Sequence, residues 1–264
     1  MDLSLAGRTA LVTGSTAGIG HAIARGLLEQ GATVWINGRT EQRVTHAVGE
    51  LRAAMAGANV QGVAADVGTA AGTARLIEAL PDVDILVNNA GIFEPKPFEE
   101  IPDGDWLRFF EVNVMSGIRL TRHYVGGMRQ RNWGRIIFVS SESAINVPVE
   151  MVHYGMTKTA QLAVSRGVAE TLAGTGVTVN AVLPGPTRSE GVATFVDRLA
   201  RAQGISFAQA EAEFFRTVRP TSLLKRFETV EEVANMVVFL CTPAASATHG
   251  AAVRVDGGVV KTII

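Results

Sequence analysis

Cysteine is almost absent from this chain, with Cys241 the only one in 264 residues. An internal disulfide is therefore excluded, and a reducing compartment is favoured. Cys241 follows apolar residues at helical spacing, so packing is its expected role. An excess of either charge is also missing. The 24 basic and 25 acidic residues leave a net charge of -1, which gives no electrostatic footing for nucleic acid or an anionic membrane. His21, His46, His123, His153 and His249 are scattered, with no HxxxH pair and no Cys/His cluster. No structural metal site is expected from them. The run VEEVANMVVFLC (230–241) carries two glutamates and is too short to cross a bilayer. MDLSLAGRTALVTG, at the start, has no basic segment followed by a long apolar run. No secretory signal is read there, and a cytoplasmic location is expected.

What is present is apolar and regular. Hydrophobic residues make up 47% of the chain, enough for one large domain over residues 1–264. Short apolar runs at 9–14, 32–38, 59–67, 84–91, 134–141, 177–185 and 251–258 read as strands. Between them, 18–31, 41–55, 69–80, 106–130, 154–173 and 230–241 show helical periodicity, with 106–130 readable as two pieces. Nearly all-apolar strands alternating with helices predict an α/β fold: a doubly wound, Rossmann-like parallel sheet of about seven strands. One segment, 187–224, breaks the rhythm with amphipathic charged pieces. A long excursion of this kind usually serves the substrate side, often as a lid.

TGSTAGIG (13–20) joins the first strand to the first helix. Gly14, Gly18 and Gly20 allow a tight turn and close approach to a diphosphate, and the helix start offers free N–H groups. The spacing differs from GxGxxG, but the physical logic is shared. The second strand ends Asn37, Gly38, Arg39, with no acid before Glu41. An acid there would hold a ribose 2′-hydroxyl, whereas Arg39 suits a 2′-phosphate, so NADP(H) is expected rather than NAD(H). Asp66, at the end of the third strand, is either an acceptor for an adenine amine or an ordinary loop aspartate.

YGMTK (154–158) places Tyr154 and Lys158 four residues apart, on one helical face. An ammonium beside a phenol favours the phenolate and lowers the phenol's pKa from its usual value near 10. Taken alone, the pair also reads as a surface tyrosine with a solvated lysine.

From about Thr9 to Gly258 the chain resembles the short-chain dehydrogenase/reductase family. The likeness rests on TGSTAGIG, Asp66-Val67, NNAG (88–91), Asn113, Ser141, Tyr154-xxx-Lys158 and PGPT (184–187) in that order. It implies a catalytic set of Asn113, Ser141, Tyr154 and Lys158, with Tyr154 as general acid/base and Asn113 positioning a water next to Lys158. Ser141 stands thirteen residues before Tyr154, the family separation. Ser140 is a neighbour easily mistaken for it, and Ser143 is a possible substrate contact. The implied cofactor contacts are Gly14, Thr16, Gly18, Ile19, Gly20, Arg39, Asp66, Val67, Asn89, Ala90, Gly91, Tyr154, Lys158, Pro184 and Gly185. Thr187 and Ser189 share the position facing the nicotinamide end. Ala17 stands where NADP-preferring relatives often carry a second basic residue, which leaves Arg39 alone.

The implied reaction is reduction of a small-molecule ketone or 3-oxoacyl carbonyl by NADPH, as in the similar 3-oxoacyl-carrier-protein reductases. The alternatives are an NAD-dependent alcohol dehydrogenase and a non-catalytic NADP(H)-binding regulator. Relatives usually form homotetramers, so a homotetramer or homodimer is expected. On the substrate side, Phe195, Phe207, Phe214 and Phe215 either line an apolar pocket or pack a helical pair; packing is the expectation. Arg129, Arg131 and Arg135 are either a solvated helix end or a landing site for an acidic carrier.

Overall fold

Seven short apolar runs become seven strands: β1 (Thr9–Val12), β2 (Thr33–Gly38), β3 (Val60–Ala64), β4 (Ile85–Asn88), β5 (Gly134–Val139), β6 (Val177–Pro184) and β7 (Ala252–Val255). The structure is a computed structural model. It describes residues 1–263, and within 190–203 it leaves out the side chains at 193–195, 198, 199, 202 and 203. The expectation for Phe195 lies outside the described residues. The sheet is parallel throughout, in the order β3-β2-β1-β4-β5-β6-β7. The helices are α1 (Gly18–Glu29), α2 (Glu41–Ala54), α3 (Ala70–Ala79), α4 (Asp103–Phe110), α5 (Ser116–Gln130), α6 (Val152–Glu170), α7 (Glu190–Gln203), α8 (Phe207–Thr217) and α9 (Val230–Cys241).

Period-two alternation along each strand divides the core into two layers. Ala10 and Val12 of β1 face one layer with Ile23, Leu27, Val233 and Val237 of α1 and α9. Leu11, between them, faces the other layer with Leu76, Leu120, Phe138 and Leu172. Each of the larger buried side chains among them contributes roughly 1.5–3 kcal/mol. Cys241 is fully buried in the first layer, where burial pushes its thiol up to about 12, consistent with a packing role.

The sheet order reverses between β1 and β4, both pairing as neighbours although β2 and β3 follow β1 in the chain. At such a switch point a crevice opens beyond the carboxyl ends of the strands. Two helix starts point toward this end of the sheet. α1 follows the glycine turn, and α6 follows the loop after β5.

The excursion forms α7 and α8, which share a small core of their own. Phe215 and Phe227 are buried there with Val196, and Phe207 and Phe214 pack against them. These phenylalanines therefore serve burial. The arginine cluster is also structural. Arg131 pairs with Asp82, Arg135 is buried over Trp133 and donates to the Gly176 carbonyl, and Arg129 donates to the Thr171 carbonyl. Among the described residues no helix is long and apolar enough to cross a membrane.

Candidate active site

The glycine turn is shaped by contacts that exclude a side chain. Gly14 has φ +60°, and a Cβ there would lie 2.9 Å from Ala90 Cα. A Cβ on Gly20 would lie 2.5 Å from Asn89 Nδ2 and 2.6 Å from the Gly14 oxygen. Asn89 fixes the turn by donating to the carbonyls of Thr13 (2.9 Å) and Gly14 (3.0 Å). Thr13 Oγ1 accepts from the N–H groups of Asn89 and Ala90, both at 3.0 Å. Behind the turn, buried Asn37 donates to the carbonyls of Val63 (3.1 Å) and Ala65 (3.0 Å), tying β2 to β3.

α1 then begins at Gly18 with Ala17 as its cap residue. No side chain caps it, and no acid lies in its first turn. Its leading N–H groups and the positive end of its dipole are thus available to an anion. A cleft of about 630 Å³ runs from this helix start, lined by residues 17–20, Arg43, Asn89, Phe93 and residues 189–191. Of the expected cofactor contacts, Gly18, Ile19, Gly20 and Asn89 line this cleft. Thr16 packs over Gly38, where a Cβ would come within 2.5 Å of its methyl. Arg39 is exposed just past β2.

The other expected contacts differ in how they present themselves. Asp66 Oδ1 accepts from the Gly68 N–H at 3.0 Å, a local turn that uses part of its capacity. The Val67 side chain is buried in the second core layer, so the main chain is the part placed to meet an adenine. Pro184 ends β6, and the Gly185 N–H donates to Val255 O at 2.8 Å. Ser189 lines the cleft, whereas Thr187 is buried and donates to the Gly185 carbonyl at 2.9 Å.

Tyr154 and Lys158 lie on the same face of α6. Lys158 Nζ is 5.5 Å from the centre of the Tyr154 ring. Phe93, which lines the cleft, meets Tyr154 edge-on with ring centres 6.3 Å apart. The phosphate end and the phenol thus share one crevice. Ser141 supports Tyr154 with a hydrogen bond and accepts from the Ser143 N–H at 3.1 Å. Ser140 is distinguished from its neighbour, because its hydroxyl donates to the Lys158 carbonyl at 2.9 Å and braces α6 against β5.

Lys158 is buried. Its ammonium donates to Val139 O at 2.9 Å and Gln161 Oε1 at 3.3 Å. Gln161 in turn donates to the Asn113 carbonyl at 2.6 Å. Asn113 sits in one π-helical turn, Glu111–Met115, between α4 and α5. That turn aims its carboxamide at the Ile92 backbone, accepting at 2.8 Å and donating at 3.0 Å, and at Thr157 Oγ1 at 3.0 Å. Such turns often mark functional positions within helices. Gly91 faces the same spot, since a Cβ on it would lie 3.4 Å from Asn113 Oδ1 and 3.6 Å from Lys158 Nζ.

The Tyr154 phenol lies above its ordinary value, whereas the spacing with Lys158 alone suggests a lowered one. Burial is the largest influence and pushes the phenol up to about 12, against the hydrogen bond from Ser141. Burial also pushes Lys158 down to about 8. Desolvation disfavours the charged form of each group, the phenolate of Tyr154 and the ammonium of Lys158, so the two shifts run in opposite directions.

Four participants were not legible as such in the sequence: Arg43, Gln161, Glu142 and Arg219. Arg43 lies in the first turn of α2, four residues after Arg39, which precedes the Thr40 cap of that helix. Gln161 stands three after Lys158, a polar residue within an apolar helix.

Glu228 is buried near Thr187. One carboxylate oxygen accepts from the Gly185 N–H at 3.2 Å, and the other has no partner. Burial raises its pKa to about 8. The folded state therefore holds this proton above the ordinary carboxyl range, so the stabilisation is complete below about pH 4.5 and lost as pH rises through about 8. Glu228→Gln should melt higher than the parent at pH 9 and show little difference at pH 5. A parent-minus-variant melting difference that does not change with pH would contradict this.

The comparisons agree with the geometry. The family described as short chain dehydrogenase matches residues 8–199. An uncharacterised oxidoreductase, YvaG, of Bacillus subtilis is 51% identical over the full length of both chains. The 3-oxoacyl-[acyl-carrier-protein] reductase FabG of Aquifex aeolicus is 34% identical, over 98% of this chain and 100% of its own. The crystal structure of L-sorbose reductase from Gluconobacter frateurii, complexed with NADPH and L-sorbose, superposes with a TM-score of 0.92 at 33% identity, covering both chains completely.

Proposed function

This chain belongs to the short-chain dehydrogenase/reductase family, and from that premise we propose that it is an NADPH-dependent carbonyl reductase. Its substrate is a ketone or 3-oxoacyl carbonyl, and its product is a secondary alcohol. The observation that carries this reading is the shared crevice: an uncapped helix start at one end, and Tyr154, Lys158 and Ser141 at the other. A regulator that only bound the nucleotide would have no use for the second end.

The residues fit the cofactor. The α1 N–H groups and the glycine turn would hold the diphosphate, and Arg39 with Arg43 would hold the 2′-phosphate. Arg43 supplies the second cation that Ala17 does not. The NADPH in the similar L-sorbose reductase supports the same preference. Gly185 and Ser189 would meet the nicotinamide end, and Lys158 the ribose.

When bound, the reduced nicotinamide supplies the hydride that goes to the carbonyl carbon. Tyr154 gives its proton to the carbonyl oxygen, which becomes the alcohol hydroxyl. A phenol held near 12 keeps that proton until the oxygen gains negative charge, so it serves as a general acid. Ser141 donates a hydrogen bond to the same oxygen and steadies the charge as it develops. The Lys158 ammonium stabilises the phenolate left behind. Asn113 and Gln161 hold Lys158 in place.

NADPH oxidation, followed by absorbance against a panel of ketones and 3-oxoacyl thioesters, tests this, with NADH in parallel. Turnover by NADPH is expected. Turnover by NADH alone would favour the alternative, an NAD-dependent alcohol dehydrogenase. Leu107 and Phe110 leave apolar surface exposed on α4, which supports assembly as a homotetramer or homodimer. A stable monomer in light scattering would refute that assembly.

A further inference from the structure

Arg219 lies just past α8, where the excursion returns toward the sheet. Its side chain crosses both ends of the loop that joins β5 to α6. Nε is 3.1 Å from Glu142 Oε1, and Nη1 is 3.2 Å from Glu150 Oε1. The guanidinium side chain is only 11% exposed, and that of Glu142 only 4%. Glu142 stands between Ser141 and Ser143, and its Oε1 also accepts from Ser143 Oγ at 3.3 Å. Its Oε2 is buried with no partner. Both the Glu142 carboxylate and the Arg219 guanidinium are close enough to act electrostatically on Tyr154.

The charge balance of this corner is unusual for a site that would take an anion. One cation faces two carboxylates, and neither carboxylate is consumed by a second cation among the described residues. Cations on the neighbouring segments are engaged as well, apart from Arg188, which lies over the Phe207 ring at 4.3 Å on the side of the excursion. Lys158 donates to Val139 O and Gln161, Lys96 pairs with Asp105, and Arg108 pairs with Glu94. A substrate carboxylate entering here would lose its water without gaining a free positive partner. It would also approach the Glu150 carboxylate, a group of its own sign, and the Glu142 carboxyl, whose pKa burial raises against the pull of Arg219.

We infer that Arg219, held by Glu142 and Glu150, is a specificity device: it closes the site to ketones that carry a carboxylate and leaves it open to uncharged ones. This inference rests on the reductase reading. Glu142 and Glu150 act as positioning residues for a guanidinium that would otherwise attract an anion.

The test uses pairs of a keto acid and its methyl ester, which differ in charge and one methyl group: acetoacetate and methyl acetoacetate, pyruvate and methyl pyruvate, levulinate and methyl levulinate. Each is assayed with NADPH on the parent, Glu142→Gln and Glu150→Gln. The parent should favour the ester over the acid by roughly 100-fold in kcat/KM, about 2.8 kcal/mol at 1.4 kcal/mol per tenfold. Removing either carboxylate leaves Arg219 with one partner and should cut that preference at least tenfold, through a lower KM for the acid. Because the ratio is taken within each variant, a general loss of activity cancels. Glu150 lies at the surface, so its variant remains informative if Glu142→Gln folds poorly. Equal use of acid and ester by the parent, or a preference unchanged in both variants, would overturn the inference and leave the reductase reading intact. No turnover of any ester would also overturn the inference, which requires uncharged ketones to be accepted; the reductase reading has its own test in the thioester panel.

Discussion

Tyr154→Phe is expected to bind NADPH within about twofold of the parent and to reduce ketones about 10²–10⁴-fold more slowly, the range that a positioned proton donor contributes. The substitution deletes one oxygen and leaves the ring. The edge-on packing with Phe93 and the seating of α6 are carried by carbon atoms and should persist. The hydrogen bond that disappears is the one from Ser141, whose hydroxyl still accepts from the Ser143 N–H. The melting temperature should therefore move little, and the loss should fall on kcat. Titration of NADPH by fluorescence, with steady-state kinetics on the same preparation, separates binding from chemistry. Full activity in the variant would refute Tyr154 as the acid.

The second large effect concerns the nucleotide. Arg39→Ala with Arg43→Ala should lower the ratio of kcat/KM for NADPH to that for NADH by about 10²-fold, at about 1.4 kcal/mol for each charge-assisted hydrogen bond removed. Both arginines are exposed, so their bonds to the phosphate are partly screened and the lower part of the range applies. Activity with NADH should hardly change, because it carries no 2′-phosphate. The ratio should also fall as salt is raised in the parent and respond less in the double variant. An unchanged ratio would remove Arg39 and Arg43 from phosphate binding.

The fold was legible in the sequence because a doubly covered parallel sheet requires strands that are apolar on both faces. Runs such as GRIIFV and VTVNAVLP, buried along their whole length, satisfy that requirement. The phosphate turn was legible for a related reason. Gly14 and Gly20 occupy places where a Cβ would strike the backbone, so the glycines mark the geometry directly. The Tyr154–Lys158 face followed from helical periodicity alone.

The remainder depends on tertiary packing that no local pattern encodes. Arg219 reaches Glu142 across 77 residues of chain, because the α7–α8 excursion folds back onto the β5–α6 loop. The π-helical turn at Asn113 inserts one residue into an otherwise continuous periodicity, which the sequence showed only as a helix in two pieces. The direction of the Tyr154 shift was missed because it is set by burial. A neighbouring ammonium can be read from spacing, whereas the water excluded from both groups cannot. The same burial explains why Lys158, braced by Val139 and Gln161, is pushed down to about 8 rather than remaining an ordinary surface lysine.

The pH dependence of alcohol oxidation, compared between the parent and Lys158→Met, bears most directly on the catalytic pair. In this direction Tyr154 must first lose its proton, so the rate rises with pH through the apparent pKa of the pair. With its ammonium removed, the phenolate loses its nearest stabilising charge, and the rising limb should move at least about one pH unit upward. A limb that stays in place, in a variant that still oxidises the alcohol, would show that Lys158 has no hold on the Tyr154 proton.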